Sequence, residues 1–422
     1  MEKVTNASTG APAGDATATL SRGRKLLCVG LLTLLGFSLG CSEFVVIGIE
    51  SELADAFGVS LAQVGRLISA FALTYAVATP LLAITTGRFR RHTLLLAYSV
   101  LFCAGNAVAA AAGTFGLLLA SRVLIGSVSG ALLAVGVTFL PELVGSRRVS
   151  IAISVVYAAF SVAMVISTSL AKIVADTLGW HVAMEDTLAL AVVTCVALAL
   201  VLPRRGATDA PATIRDQVEL LREPSILCGM AIFVFGVGSV YTFYGYITPY
   251  LEQVLGMDTA AASTTLMAYG FMTLVSNLAA GWLDASFGMR SHLFTFPLQA
   301  VLLCLLSLVG PAMPAALVVI LAIGLSMYLL SVPVISMFMK VATRRHPKAL
   351  TLASSIEPMA FNVGIAFGTA VGGAVVSGPG MGVSGFVGAA FALAALALSC
   401  LTMRLDRRAP RAVASSANGA VS

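Results

Sequence analysis

Charge is scarce in this chain. Of its 422 residues only 10% are Asp, Glu, Lys or Arg and 59% are apolar, against about 25% and about 45–50% in soluble domains. So little charge cannot clothe a water-facing surface, which excludes an ordinary soluble enzyme. The four histidines, His92, His181, His292 and His346, stand in or beside loops at no metal-binding spacing. Seven cysteines form no CxxC pair and sit singly in apolar stretches, as small core residues do. No P-loop lysine, HExxH or nucleophile elbow occurs, so ATP-driven transport and intramembrane hydrolysis are unsupported. Gly380-Met381-Gly382-Val383-Ser384-Gly385 spells GxGxxG, yet no strand precedes it and no acid follows, so it reads as a turn. Neither enzyme activity nor a cofactor or metal is expected.

What the chain has is length in oil. A helix crossing about 30 Å of hydrocarbon needs about 20 mostly apolar residues. Twelve such runs occur, at about 26–49, 61–84, 93–113, 116–140, 150–174, 183–202, 226–249, 260–283, 293–310, 315–339, 350–376 and 383–403. Runs this long and continuous predict helices, whereas barrel strands would be about 10 residues and alternating. The expected fold is an all-α membrane protein with twelve transmembrane helices in two pseudo-symmetric six-helix bundles. The bundles are assigned to 26–203 and 226–403, with polar tails at 1–25 and 404–422 and a central loop at 204–225. The first tail, rich in Ala, Thr and Gly, is expected to be disordered. With the N-terminus in the cytoplasm, alternate loops collect 22 of the 25 Lys and Arg residues, and only Arg66, Arg122 and Lys172 fall elsewhere. Both termini are therefore expected in the cytoplasm. The lipid bilayer explains the net charge of +6 and leaves nucleic-acid binding unsupported. Ser38-Leu39-Gly40-Cys41 distantly resembles a lipoprotein cleavage site, but Leu and Ser occupy the wrong positions and the apolar run continues to Ile49, so an uncleaved first helix is expected.

The halves echo each other. Ala159-Phe160-Ser161-Val162 in the fifth run is matched 201 residues later by Ala360-Phe361-Asn362-Val363 in the eleventh, and Thr168 by Thr369. A duplicated six-helix unit places a transporter's substrate site between the halves near the membrane midplane.

These residues resemble the major facilitator superfamily and, within it, the twelve-helix drug:proton antiporter branch with its bacterial sugar (arabinose-type) and purine ribonucleoside efflux permeases. The resemblance spans about residues 26–403. It is carried by Ser42-Glu43-Phe44, by Gly105-Asn106 with Ser121-Arg122-Val123-Leu124, and by Ala360-Phe361-Asn362-Val363-Gly364 with Gly368, Gly372 and Gly373. It implies efflux across a bacterial inner membrane, including multidrug resistance, by a chain functional as a monomer. It also implies that charged loops latch the bundles, through Arg88 and Arg91 in the first copy and Asp284 and Arg290 in the second. Two departures stand out. Gly87 replaces the acid expected in the first loop, and Ser167-Thr168-Ser169-Leu170-Ala171 lacks the Gly-Pro element that marks antiport.

Ionisable side chains inside spans are costly and usually have a role. Glu43 and Arg122 each lie six residues from the outer end of their helix, about 9 Å in. In the resembling family both helices line the central cavity, so the two can meet, either as a proton-loading site or as a static ion pair. Glu357 precedes Pro358, where a kink is expected, and is a further candidate for proton coupling or a residue reaching the surface. Lys172 is expected to snorkel at the end of its helix. Candidate substrate contacts are Phe44, Asn106, Tyr241, Tyr244, Tyr328 and Asn362; Tyr250 is assigned to the interfacial belt. Asn106 and Asn362 can equally serve as bonds between helices. The functional expectation is secondary active export of a small organic molecule by proton antiport. A symporter of the same fold and a non-transporting receptor are the alternatives.

Overall fold

A computed structural model describes residues 21–86, 89–144, 148–203, 219–345 and 350–418, and among these every regular element is helical. The membrane-scale helices are α1 (Arg22–Gly48), α2 (Leu61–Thr86), α3 (Arg91–Ala110), α4 (Phe115–Val137), α5 (Val149–Leu178) and α6 (Trp180–Val201) in the first half. In the second they are α7 (Pro224–Tyr244), α8 (Thr259–Phe287), α9 (His292–Val309), α10 (Met313–Ser326, resuming at Ser331–Arg345), α11 (Leu350–Ser377) and α12 (Ser384–Asn418). Eleven stretches are long and apolar enough to cross a bilayer, and one of them, Thr259–Val309, is 51 residues long. At 1.5 Å per residue it is about twice too long for a single crossing. Gly288, at φ +53°, breaks it into α8 and α9, so among the described residues the stretches long and apolar enough to cross number twelve. The fold class expected from the sequence is the one observed. Residues 1–20 of the first tail and 204–218 of the central loop lie outside the described residues, and α12 continues as helix beyond 403 to Asn418.

Side chains start several of these helices. Ser21, Thr114 and Asp258 accept from the backbone N–H three residues on, and Pro224 opens α7 where its missing N–H costs nothing. Inside lipid an interrupted helix is tolerated only against protein, and four spans are interrupted. A proline ring clashes with the carbonyl four residues earlier. Pro141 accordingly ends α4 at Val137 before a short helix Leu140–Val144, and Pro249 ends α7 at Tyr244 before the turn Ile247–Pro249. Pro333 opens α10 between Ser326 and Ser331. The fourth break, at Ile49 between α1 and the short helix Glu50–Phe57, has no proline. Side chains patch the exposed backbone: Thr248 donates to the carbonyl of Ile47, Arg91 to that of Thr138, and Ser276 accepts from Tyr328 N–H. By contrast α11 runs unbroken through Pro358.

The halves meet along two symmetry-related seams, α2 against α11 and α5 against α8. Ser51 bonds Glu252 and Thr248 bonds the Ile47 carbonyl, in each case across 201 residues. That is the repeat spacing, so these contacts sit on the pseudo-twofold axis. They lie on the far face, opposite the face where α1 begins and α12 ends.

Close helix packing depends on absent side chains. A methyl on Gly126 of α4 would stand 2.5 Å from the Phe71 carbonyl oxygen of α2, whereas one on Gly116 of the same helix meets nothing within 4 Å. Gly126→Ala is expected to cost about 1–3 kcal/mol by overpacking and to lower the thermal unfolding midpoint in detergent, and Gly116→Ala to leave it in place.

Candidate functional site

The site lies where α1 and α4 of one half meet α7 and α11 of the other. Glu43 and Phe44 on α1, Phe71 on α2, Arg122 on α4, Tyr241 on α7 and Ile365 on α11 border a cavity of about 10 Å³, room for about one water. Arg122 is 1% exposed. Its guanidinium donates to the backbone carbonyls of Ser42 at 2.6 Å and Glu43 at 3.0 Å and stacks 4.7 Å from the Phe71 ring centre. The expected side-chain ion pair with Glu43 is therefore not what forms. Carbonyls and an aromatic face solvate the cation, and among the described residues the Glu43 carboxylate accepts no hydrogen bond and joins no ion pair. It faces the cavity beside a guanidinium already engaged elsewhere.

Aromatic rings wall this space. Phe44 meets Phe160 edge-on at 5.7 Å, and Tyr241, its buried hydroxyl unpartnered, meets Tyr244 at 5.3 Å and Phe361 at 6.4 Å. Tyr244 stacks on Tyr269 at 4.9 Å, one ring behind the cavity wall. Tyr328, at the break in α10, stacks on Phe361 at 5.5 Å and points its hydroxyl at Met164 of the other half. Glu357 is half-buried on α11, and its charge reaches the hydroxyls of Tyr75, Tyr157 and Tyr328; that of Glu43 also reaches Tyr75 and Tyr328. Tyr75, Phe71, Phe160, Tyr269 and Phe361 did not emerge from the sequence as site residues. Phe160 and Phe361 are mates within the repeated Ala-Phe motif, which is the signal that marks them.

Other expected residues sit elsewhere. The Asn106 amide is committed: Oδ1 accepts from Ser42 at 2.7 Å and Thr187 at 3.5 Å, and Nδ2 donates to the Phe102 carbonyl. It ties α1, α3 and α6 together instead of lining the cavity. Asn362 donates to the Pro358 carbonyl and leaves its buried Oδ1 free. Arg91 pairs with Glu142 at 3.1 Å within its own half, and Asp284 accepts from Ser336 of α10. Arg290 is exposed, and no Asp284–Arg290 pair forms among the described residues. Arg88 lies outside the described residues. Tyr250, assigned to an interfacial belt, is instead buried against Phe243 at 5.2 Å. Lys172 does not snorkel either: two half-buried carboxylates, Glu52 and Glu252, hold it inside.

Comparison with known proteins agrees with this architecture. The Major Facilitator Superfamily profile matches residues 32–356. The chain belongs to the major facilitator superfamily. It is 27% identical over 378 residues to an uncharacterised MFS-type transporter, YtbD, of Bacillus subtilis, covering 89% of this chain and 95% of that one. It is 28% identical over 383 residues to the inner membrane transport protein YdhP of Escherichia coli K12, covering 90% and 96%. In fold it is similar to a bacterial homologue of the human lysosomal transporter Spinster, crystallised inward-facing and unoccupied. There the TM-score is 0.73 at 15% identity, over 91% of this chain and 98% of that one. The protein is a multi-pass membrane transporter of this superfamily, not an enzyme.

The Arg122 arrangement makes a distinct prediction. Arg122→Ala removes two charge-assisted bonds to α1, each about 1.5–3 kcal/mol, and is expected to lower both thermal stability and transport. Arg122→Lys, a point charge without the planar fork, is expected to recover stability in part. Thermal melts and substrate flux measured on the same preparations decide this.

Proposed function

We propose that the protein exports small, largely apolar organic molecules in exchange for protons, by alternating access and as a monomer. Its terminal face is assigned to the cytoplasm of a bacterial inner membrane, on the strength of the 22 basic residues gathered there. The Glu43 carboxyl carries the reading. It stands at the seam of the two halves, in a space about one water wide, with no hydrogen-bond donor committed to it. A carboxyl so placed is a seat for a proton. When the halves part, water reaches it and the proton leaves; Arg122 close by then steadies the anion. Glu357 on α11 offers the proton a second stop, and the charges of both carboxylates act on the hydroxyls of Tyr75 and Tyr328. Phe44, Tyr241 and the rings behind them suit a substrate with an apolar body and a hydrogen-bonding group. The far-face contacts on the twofold axis support a state closed on that side, one of the two that alternating access requires.

Proteoliposomes with an imposed pH gradient test the reading. Export coupled to proton entry is expected, and substrate accumulation in the direction of proton entry would reject antiport. Glu43→Gln is expected to abolish uphill movement while counterflow of labelled substrate persists. Unchanged active transport in that variant would make Glu43 structural.

A further inference from the structure

A second group of charges joins the halves at the far face, away from the central cavity. Lys172 of α5, 3% exposed, pairs with Glu52 of its own half and with Glu252, in the segment Tyr250–Val254 of the other half. Ser51 also donates to Glu252. Beside them Glu50, first residue of the short helix Glu50–Phe57, is 0% exposed, and neither carboxylate oxygen has a hydrogen-bond partner. The charges that act on it come from Glu52 on its own helix and Glu252 across the seam. Its own charge acts on the hydroxyls of Tyr244 and Tyr246 at the end of α7, the latter donating to the Thr369 carbonyl of α11. Lys172, the cation of the cluster, is engaged by the other two carboxylates, and Arg66 on α2 is exposed. Burial, and after it the Glu52 and Glu252 charges, hold the Glu50 carboxyl well above the usual carboxylate range.

We propose that Glu50 is a second proton-binding carboxyl whose proton permits the far face to close. With Glu50 neutral, one ammonium faces two carboxylates across the seam. With Glu50 ionised, three carboxylates share that one ammonium, in a place where an unpaired buried charge is costly. Separating Glu252 from Glu50 and Glu52 relieves the repulsion and admits water to the anion. Because Glu252 belongs to the second half, that separation opens the face. The proposal shares with the exporter reading the premise that the halves part on this side, and it is independent of what Glu43 carries. The sign follows. The closed form binds the proton more tightly than the open form, so closure is favoured at low pH and lost as pH rises. For one linked proton the ratio of open to closed molecules changes about tenfold per pH unit.

Spin labels at Ala56 and Gln253, exposed positions on either side of the seam, report the distance across it in the full-length protein with its seven cysteines replaced. The separation is expected to lengthen as pH rises from about 5 to about 9, and to do so equally in the Glu43→Gln background. Persistence there keeps this proposal distinct from the coupling reading: a response lost with Glu43 assigns the switch to the central site and overturns the role of Glu50. Glu50→Gln, which keeps shape but binds no proton, is expected to stay closed throughout the range. An unchanged pH response in that variant overturns the proposal. Where Glu50→Gln fails to reach the membrane, Glu252→Gln decides, since losing one repelling charge lowers the proton affinity of Glu50 and moves the midpoint down; an unmoved or raised midpoint also overturns it.

Discussion

Every peptide group inside hydrocarbon must find its partner within the protein, and the architecture follows from that constraint. It makes each apolar run a helix, and it dictates where a helix is allowed to stop. The four interrupted spans, α1, α4, α7 and α10, include the helices that carry Glu43, Arg122, Tyr241 and Tyr328. Three of the four breaks, those of α1, α4 and α10, are patched by polar side chains from other segments: Thr248, Arg91 and Ser276. Function and tolerance coincide here. Irregular backbone survives only in protein-lined space, and that space is where a transporter keeps its site.

Buried charge is accommodated in two ways. Arg122 is solvated by two carbonyls of α1 and the face of Phe71, so its charge is balanced by dipoles. That choice leaves the Glu43 carboxylate facing a cavity without a committed donor. Lys172 instead takes two carboxylates, one from each half, and so becomes a tie between domains. The first arrangement leaves a carboxyl without a hydrogen-bond donor beside the cavity, and the second ties the two halves through charge.

Much of the fold was legible because its signals are local. Span length, the Gly288 break and the repeat between Phe160 and Phe361 need only neighbouring residues or a constant offset. The site was legible in part. Glu43 and Arg122 announced themselves as ions in oil, and Tyr241 as a deep aromatic. Asn106 misled because a polar residue in a span looks the same whether it faces a cavity or binds Ser42 and Thr187. Lys172 misled for a related reason: its partners Glu52 and Glu252 are 120 and 80 residues away, just beyond the ends of the long apolar runs, and in the sequence look like ordinary loop acids.

By itself the sequence determined how many times the chain crosses the membrane and that its halves are copies, because hydrophobic length and repetition are properties of one strand of text read in order. Tertiary structure decided who partners whom. Whether a guanidinium meets a carboxylate or a carbonyl depends on the angle at which two helices pass. A turn of one helix by one residue, about 100°, would exchange those partners without altering a single letter.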